Sequence, residues 1–156
     1  MATKTAGLEV GDKAPAFEGV DEQGQVHRLS EYAGKTLVLY FYPKDHTSGC
    51  TTEACDFRDN FHKLARKGAS LLGVSPDDAE SHSKFAQKLD LQFPLLADTE
   101  KKICKAYGVW KEKAMYGRKY MGVERSTFVI GPDGRIAYAA HKVAVPGHAN
   151  EVLKAI

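Results

Sequence analysis

Residues 37–42, Leu-Val-Leu-Tyr-Phe-Tyr, form a run of six apolar and aromatic side chains without one polar interruption. A strand with one face in water alternates apolar and polar residues, whereas an unbroken run belongs in the interior of a sheet covered on both sides. Pro43 ends the run, because it cannot donate to a ladder. The same reasoning gives a second buried strand at 69–74 and a short one at 93–97. Between and after them lie helical patterns at 50–67, 77–89 and 101–107. The first carries Ala54, Phe57, Phe61, Leu64 and Ala65 at three- and four-residue steps and stops at Gly68. Gly131-Pro132-Asp133-Gly134 joins strands at 126–130 and 135–141 as a hairpin, and 147–156 is a last helix. Ala16–Val20 and Gln25–Arg28 flank a turn at the start and form a small hairpin. Strands alternating with helices imply a sheet with helices on both faces, and the late hairpin adds antiparallel strands. The expected fold is therefore α/β: a thioredoxin-like, mixed central sheet flanked by helices, with an N-terminal β-hairpin extension. The length of 156 residues suits one domain, 1–156.

Charge and cysteine content exclude several classes of function. Twenty-two Lys and Arg against 20 Asp and Glu leave +2, which gives no reason to expect a nucleic-acid partner. No apolar run is long enough to span a bilayer, and the first eleven residues hold no secretory core. A cytoplasmic location is the default expectation. Three cysteines are an odd number without repeating spacing, a poor disulfide framework. The six histidines are scattered without metal-ligand spacing, so no metal or cofactor is expected.

The stretch 43–55, Pro-Lys-Asp-His-Thr-Ser-Gly-Cys-Thr-Thr-Glu-Ala-Cys, carries the chemistry. A free cysteine is most often a small buried hydrophobe. Cys50 differs in its flanks: it follows a buried strand and a polar turn, and it opens a helix. Unpaired N–H groups and the positive dipole end at a helix start favour a thiolate, the nucleophilic form. Thr47 can bring a hydroxyl beside that sulfur, and Gly49 permits close backbone approach. Cys55 lies five residues on, so on an intact helix the two Cα atoms are about 8–9 Å apart. A disulfide needs about 4.4–6.8 Å, so any bond between them requires the first turns to unwind. Read by residue type alone, Glu53 is a first-turn acid, Arg125 a surface charge and Cys104 a buried thiol. Tyr40, Phe41, Tyr42 and Trp110 read as core or as the wall of a pocket. Lys111, Lys113, Arg118 and Lys119 read as a solvated basic cluster in a glycine-containing loop.

Pro43-x3-Thr47-x2-Cys50 resembles the active-site signature of the peroxiredoxins. Gly49-Cys50-Thr51-x-Glu53-Ala54-Cys55-x-Phe57-Arg58-Asp59 is similar to the bacterioferritin comigratory protein, or peroxiredoxin Q, branch. The likeness extends to Gly11-Asp12-Lys13-Ala14-Pro15-x-Phe17, Phe93-Pro94-Leu95-Leu96-x-Asp98, Tyr107-Gly108-Val109-Trp110 and the run from Arg125 to Gly134. The resemblance implies a thiol peroxidase for hydrogen peroxide and organic hydroperoxides. In it Cys50 is the peroxidatic cysteine, Thr47 bonds the peroxide and thiolate, and Pro43 shields the site from water. Arg125 stabilises the developing charge, Glu53 orients Arg125, and Cys55 resolves the sulfenic acid as a Cys50–Cys55 disulfide. Thioredoxin or a similar dithiol protein is the implied reductant, and a monomer the expected state, with a dimer as the alternative. Ser48 stands where the branch often has proline, and the stretch 77–89 lacks the cysteine that some members place there.

Overall fold

The computed structural model describes residues 8–156, so most of the N-terminal stretch read for a secretory core lies outside the described residues. A central sheet has the strand order β5-β4-β3-β8-β9, built from β3 (Thr36–Phe41), β4 (Ala69–Ser75), β5 (Leu95–Ala97), β8 (Ser126–Ile130) and β9 (Ile136–Ala140). β3 lies in the middle, parallel to β4 and antiparallel to β8, and β4 is parallel to β5. The mixed thioredoxin-like sheet expected from the sequence is thus present.

Both faces are covered, and the two-residue period of a strand sorts β3 between them. Leu37, Leu39 and Phe41 join Leu72, Val74, Tyr107 and Phe128 in one core cluster, whereas Val38 and Tyr40 join Leu71, Phe57, Phe85 and Val152 in the other. The second face is covered by α1 (Ser48–Asp59), α2 (Phe61–Arg66), α3 (Ala79–Leu89) and α5 (His148–Lys154). The first is covered by α4 (Lys102–Ala106) and by the N-terminal segment through Phe17, Leu29 and Tyr32. Full burial of one such side chain stabilises by about 1.5–3 kcal/mol, and five of the six residues of β3 are buried. The N-terminal hairpin, β1 (Glu18–Val20) with β2 (Val26–Arg28), is tethered to the sheet by a bridge between Asp21 and Leu96.

Two expectations need correction. The helix read over 50–67 starts two residues earlier and is two helices, α1 and α2. They are divided at Asn60, whose φ of −106° and ψ of 4° leave the helical region and whose side-chain amide donates to the Asp56 carbonyl. The apolar stripe runs on across the break, which hides it from a periodicity argument. The glycine-containing loop with the basic cluster is a two-stranded ribbon, β6 (Trp110–Met115) with β7 (Arg118–Val123). Its turn uses Tyr116 at φ 53° and Gly117 at φ 77°, the left-handed pair that a tight hairpin demands. Tyr40, Phe41 and Tyr42 are core residues, the first of the two readings the sequence left open. No helix among the described residues is long and apolar enough to cross a membrane.

Candidate active site

The register of the sheet assembles the site. β3 and β8 pair antiparallel with Phe41 opposite Ser126, so Arg125 lies beside the point where the chain leaves β3 for α1. Cys50 occupies the third position of α1, on its buried stripe with Glu53, Ala54 and Phe57. The guanidinium of Arg125 then bridges two groups of that helix. Nη2 donates to Cys50 Sγ at 3.2 Å and Nη1 donates to Glu53 Oε1 at 2.6 Å. Arg125 remains partly exposed, whereas Cys50 and Glu53 are buried. A permanently charged planar donor held on a cysteine sulfur is complementary to negative charge there. Gly49 makes room for it: a Cβ at that position would lie 3.3 Å from Arg125 Nη2.

Burial raises the Glu53 carboxyl to about 7, although the charge and the hydrogen bond of Arg125 pull the other way. Its second oxygen, Oε2, is buried without a hydrogen-bond partner, as is the Tyr40 hydroxyl. Thr47 is the N-cap residue of α1, and its hydroxyl donates to the Lys44 carbonyl at 2.8 Å. With its hydrogen engaged, the oxygen is left to accept. Pro43 is half-buried, two residues past the end of β3. Cys55 sits on α1 and is half-buried. Five residues of helix turn it about 140° from Cys50, and both thiols are free.

The turn between β3 and α1 is held from behind by a buried polar network. Asp45 Oδ1 accepts from the Tyr42 hydroxyl at 2.6 Å. Asp45 Oδ2 meets His82 Nδ1 at 2.6 Å and accepts from Ser81 Oγ at 2.8 Å. The Asp45 amide donates to Asp77 Oδ2 at 2.7 Å. His82 Nε2 lies 2.9 Å from the Leu96 carbonyl, which only accepts, so that nitrogen carries hydrogen. Burial disfavours both charges, but the mutual hydrogen bond and attraction outweigh it. The Asp45 carboxyl is held below its ordinary range and His82 above its own, the signature of an ion pair. The ligand atoms of Asp45, Asp77 and His82 lie within 4.8 Å of one another, but His82 donates from both nitrogens and leaves none open to a cation.

The sequence model of the AhpC/TSA family matches residues 10–139. The chain belongs to the AhpC/TSA family. Within it, the relatives are peroxiredoxins of the Bcp, or peroxiredoxin Q, branch. Peroxiredoxin Bcp of Bacillus subtilis (strain 168) is 50% identical over 149 residues, 96% of this chain and 95% of the relative. Peroxiredoxin Bcp of Escherichia coli (strain K12) is 40% identical over 146 residues, 94% of each chain. Among solved structures, the bacterioferritin comigratory protein of Xanthomonas campestris, studied for alkyl peroxide reduction, matches with a TM-score of 0.88. It is 42% identical and covers 94% of this chain and 96% of its own. A peroxiredoxin Q mutant of Xylella fastidiosa matches with a TM-score of 0.89 at 42% identity, over 94% of each chain. The chain is accordingly an enzyme of the peroxiredoxin type.

In this peroxiredoxin the expected site residues fall into two sets. Cys50 and Glu53 both bond Arg125, and Thr47 and Pro43 lie on the turn that leads to Cys50. Cys55 is separate from them. Cys104 is buried in the opposite core cluster, and burial, then the charge of Asp98, push its thiol far above the ordinary value. Asp45 and His82 were not singled out by sequence reasoning. Asp45 stood inside the motif as an unassigned position, and His82 counted only as one of six scattered histidines.

Proposed function

We propose that this peroxiredoxin reduces hydrogen peroxide and organic hydroperoxides through Cys50. The Cys50 thiolate attacks the distal oxygen of the peroxide, the O–O bond breaks, and the leaving alkoxide or hydroxide takes up a proton. The products are Cys50 sulfenic acid and an alcohol or water. The single observation that carries this reading is the Arg125 guanidinium bridging Cys50 Sγ and Glu53. It supplies a fixed cation where negative charge moves from sulfur to the departing oxygen. Glu53 anchors its far edge, the Thr47 oxygen accepts from the hydroperoxide O–H, and Pro43 limits water.

Cys55 then condenses with the sulfenic acid, forming a Cys50–Cys55 disulfide and releasing water. The composition of α1 supports the unwinding this needs. Up to Cys55 its buried stripe consists only of Cys50, Glu53 and Ala54, and Phe57 is the first large side chain that anchors it. Ser48, Gly49, Thr51 and Thr52 are weak helix formers, so the first turns are held by little packing and little propensity. Thioredoxin or a similar dithiol protein reopens the disulfide, becoming oxidised itself. We assign the chain to the cytoplasm, where such reductants operate, acting as a monomer of one domain.

Intact-mass analysis after one equivalent of hydrogen peroxide tests the scheme. Loss of two hydrogens, mapped to a Cys50–Cys55 link, is expected. Cys50→Ser should abolish the reaction. Cys55→Ser should stop at the sulfenic acid and lose thioredoxin-coupled turnover. Full turnover by Cys50→Ser refutes the proposal.

A further inference from the structure

A cavity of about 660 Å³ opens beside Arg125, between the β6–β7 ribbon and the segment after β9. Lys111, Lys113, Arg125 and Lys142 line it, against Glu112 and Glu124. Most of these charges are already matched. Lys111 Nζ donates to Glu124 Oε1 at 3.0 Å, Glu112 faces Lys119 at 3.6 Å, and Arg125 bonds Glu53 and Cys50. Lys113 and Lys142 have no carboxylate within ion-pair distance among the described residues. Lys113 is also half-buried. Burial, then the like charge of Arg125, lower its affinity for a proton, while the charges of Glu124 and Cys50 act in the opposite sense. An ammonium partly removed from water, beside a second cation and lacking a counter-ion, is a position that a bound anion stabilises. Hydrogen peroxide is far too small to use this space.

We infer that this cavity is an anion subsite. Lys113, assisted by Lys142, takes a carboxylate carried by an organic hydroperoxide whose peroxide end lies at Cys50. The inference rests on the reading of Cys50 as the sulfur that attacks peroxide, and it names the substrates that this site favours. Binding there neutralises the Lys113–Arg125 repulsion and breaks no existing ion pair. Recognition therefore adds to the rate for an acidic hydroperoxide and not for its neutral counterpart.

The test uses a tertiary hydroperoxide bearing a terminal carboxylate and the methyl ester of the same compound. The second-order rate constant for oxidation of pre-reduced protein is measured by quench and intact mass, so that no reductant takes part. The acid is expected to react roughly fivefold faster than the ester at low ionic strength, the scale of one partly exposed ion pair. Added salt should diminish the ratio. Lys113→Gln should bring the ratio close to one and Lys113→Arg should keep it. Lys84→Gln, which removes the same charge from α3, should leave it unaltered. Equal rates for acid and ester, or a ratio that survives Lys113→Gln, overturn the subsite while the peroxidase reading stands. Failure of both compounds where hydrogen peroxide still oxidises the protein overturns the subsite alone; failure of all three overturns the peroxidase reading with it.

Discussion

Replacing Asp45 by alanine tests whether the buried network holds the turn that carries Thr47 and leads to Cys50. The substitution strands three donors: the Tyr42 hydroxyl, His82 Nδ1 and Ser81 Oγ. Tyr42 and His82 are fully buried. A buried donor left unpaired costs about 1–3 kcal/mol, and removing one partner of a buried ion pair costs about 3–5 kcal/mol. These figures describe overlapping losses, so about 3–5 kcal/mol is the expected total. For a chain of this size that lowers Tm by roughly ten degrees or more. Asp45→Asn keeps an acceptor for Tyr42 and should lose about half as much. The pH dependence distinguishes an ion pair from simple packing. The Asp45 carboxyl is depressed in the folded state, so its contribution is present above about pH 3.9 and is lost as pH falls through the lower folded value. His82 is raised, so its contribution is complete below about pH 6.5 and is lost as pH rises through the higher folded value. Urea denaturation of reduced parent and variant, followed by circular dichroism across this range, should show a stability gap that is widest between those limits. The peroxide rate constant should fall with it, because the turn loses its support. A cost below about 1 kcal/mol near pH 6, or a gap that ignores pH, refutes the reasoning.

Glu53, raised to about 7 by burial, should leave stability intact below about pH 4.5, its unfolded value, and cost stability as pH rises through about 7. Glu53→Gln should therefore gain on the parent over that interval in the same denaturation experiment. Gly49→Ala places a methyl group 3.3 Å from Arg125 Nη2 and should slow peroxide reduction without a comparable loss of stability, as stopped-flow oxidation would read. Arg125→Lys removes the two-pronged bridge and should reduce the peroxide rate constant about a hundredfold, measured the same way. Cys104, its thiol pushed far upward by burial and then by the charge of Asp98, should resist alkylation in the native reduced protein while the half-buried Cys55 reacts, as peptide mapping would show.

How much of this was legible depended on whether the signal was local. The run 37–42 announced the central strand because burial on both faces demands apolar residues at every position. The stripe of Ala54, Phe57, Phe61 and Leu64 announced a helix here because one helical face meets the core. The β6–β7 ribbon was not legible, for it projects with both faces largely in water, so its strands carry no apolar alternation. Its Tyr116-Gly117 turn also departs from the usual Asn-Gly or Asp-Gly pair. The division at Asn60 escaped because the apolar spacing continues across it.

The sequence by itself determined the class of fold and the reactive segment, since both follow from residue types within a few positions of one another. It also placed the two cysteines too far apart on one helix to bond without unwinding. Tertiary structure brings the distant groups together. Arg125 reaches Cys50 across 75 positions through the β3–β8 register, and His82 meets Asp45 across 37 through the packing of α3. It also decided which lysines of the basic cluster stand unmatched beside Arg125. Charge and hydrogen bonding act over a few ångströms of space, and chain separation carries no trace of that distance until the sheet is assembled.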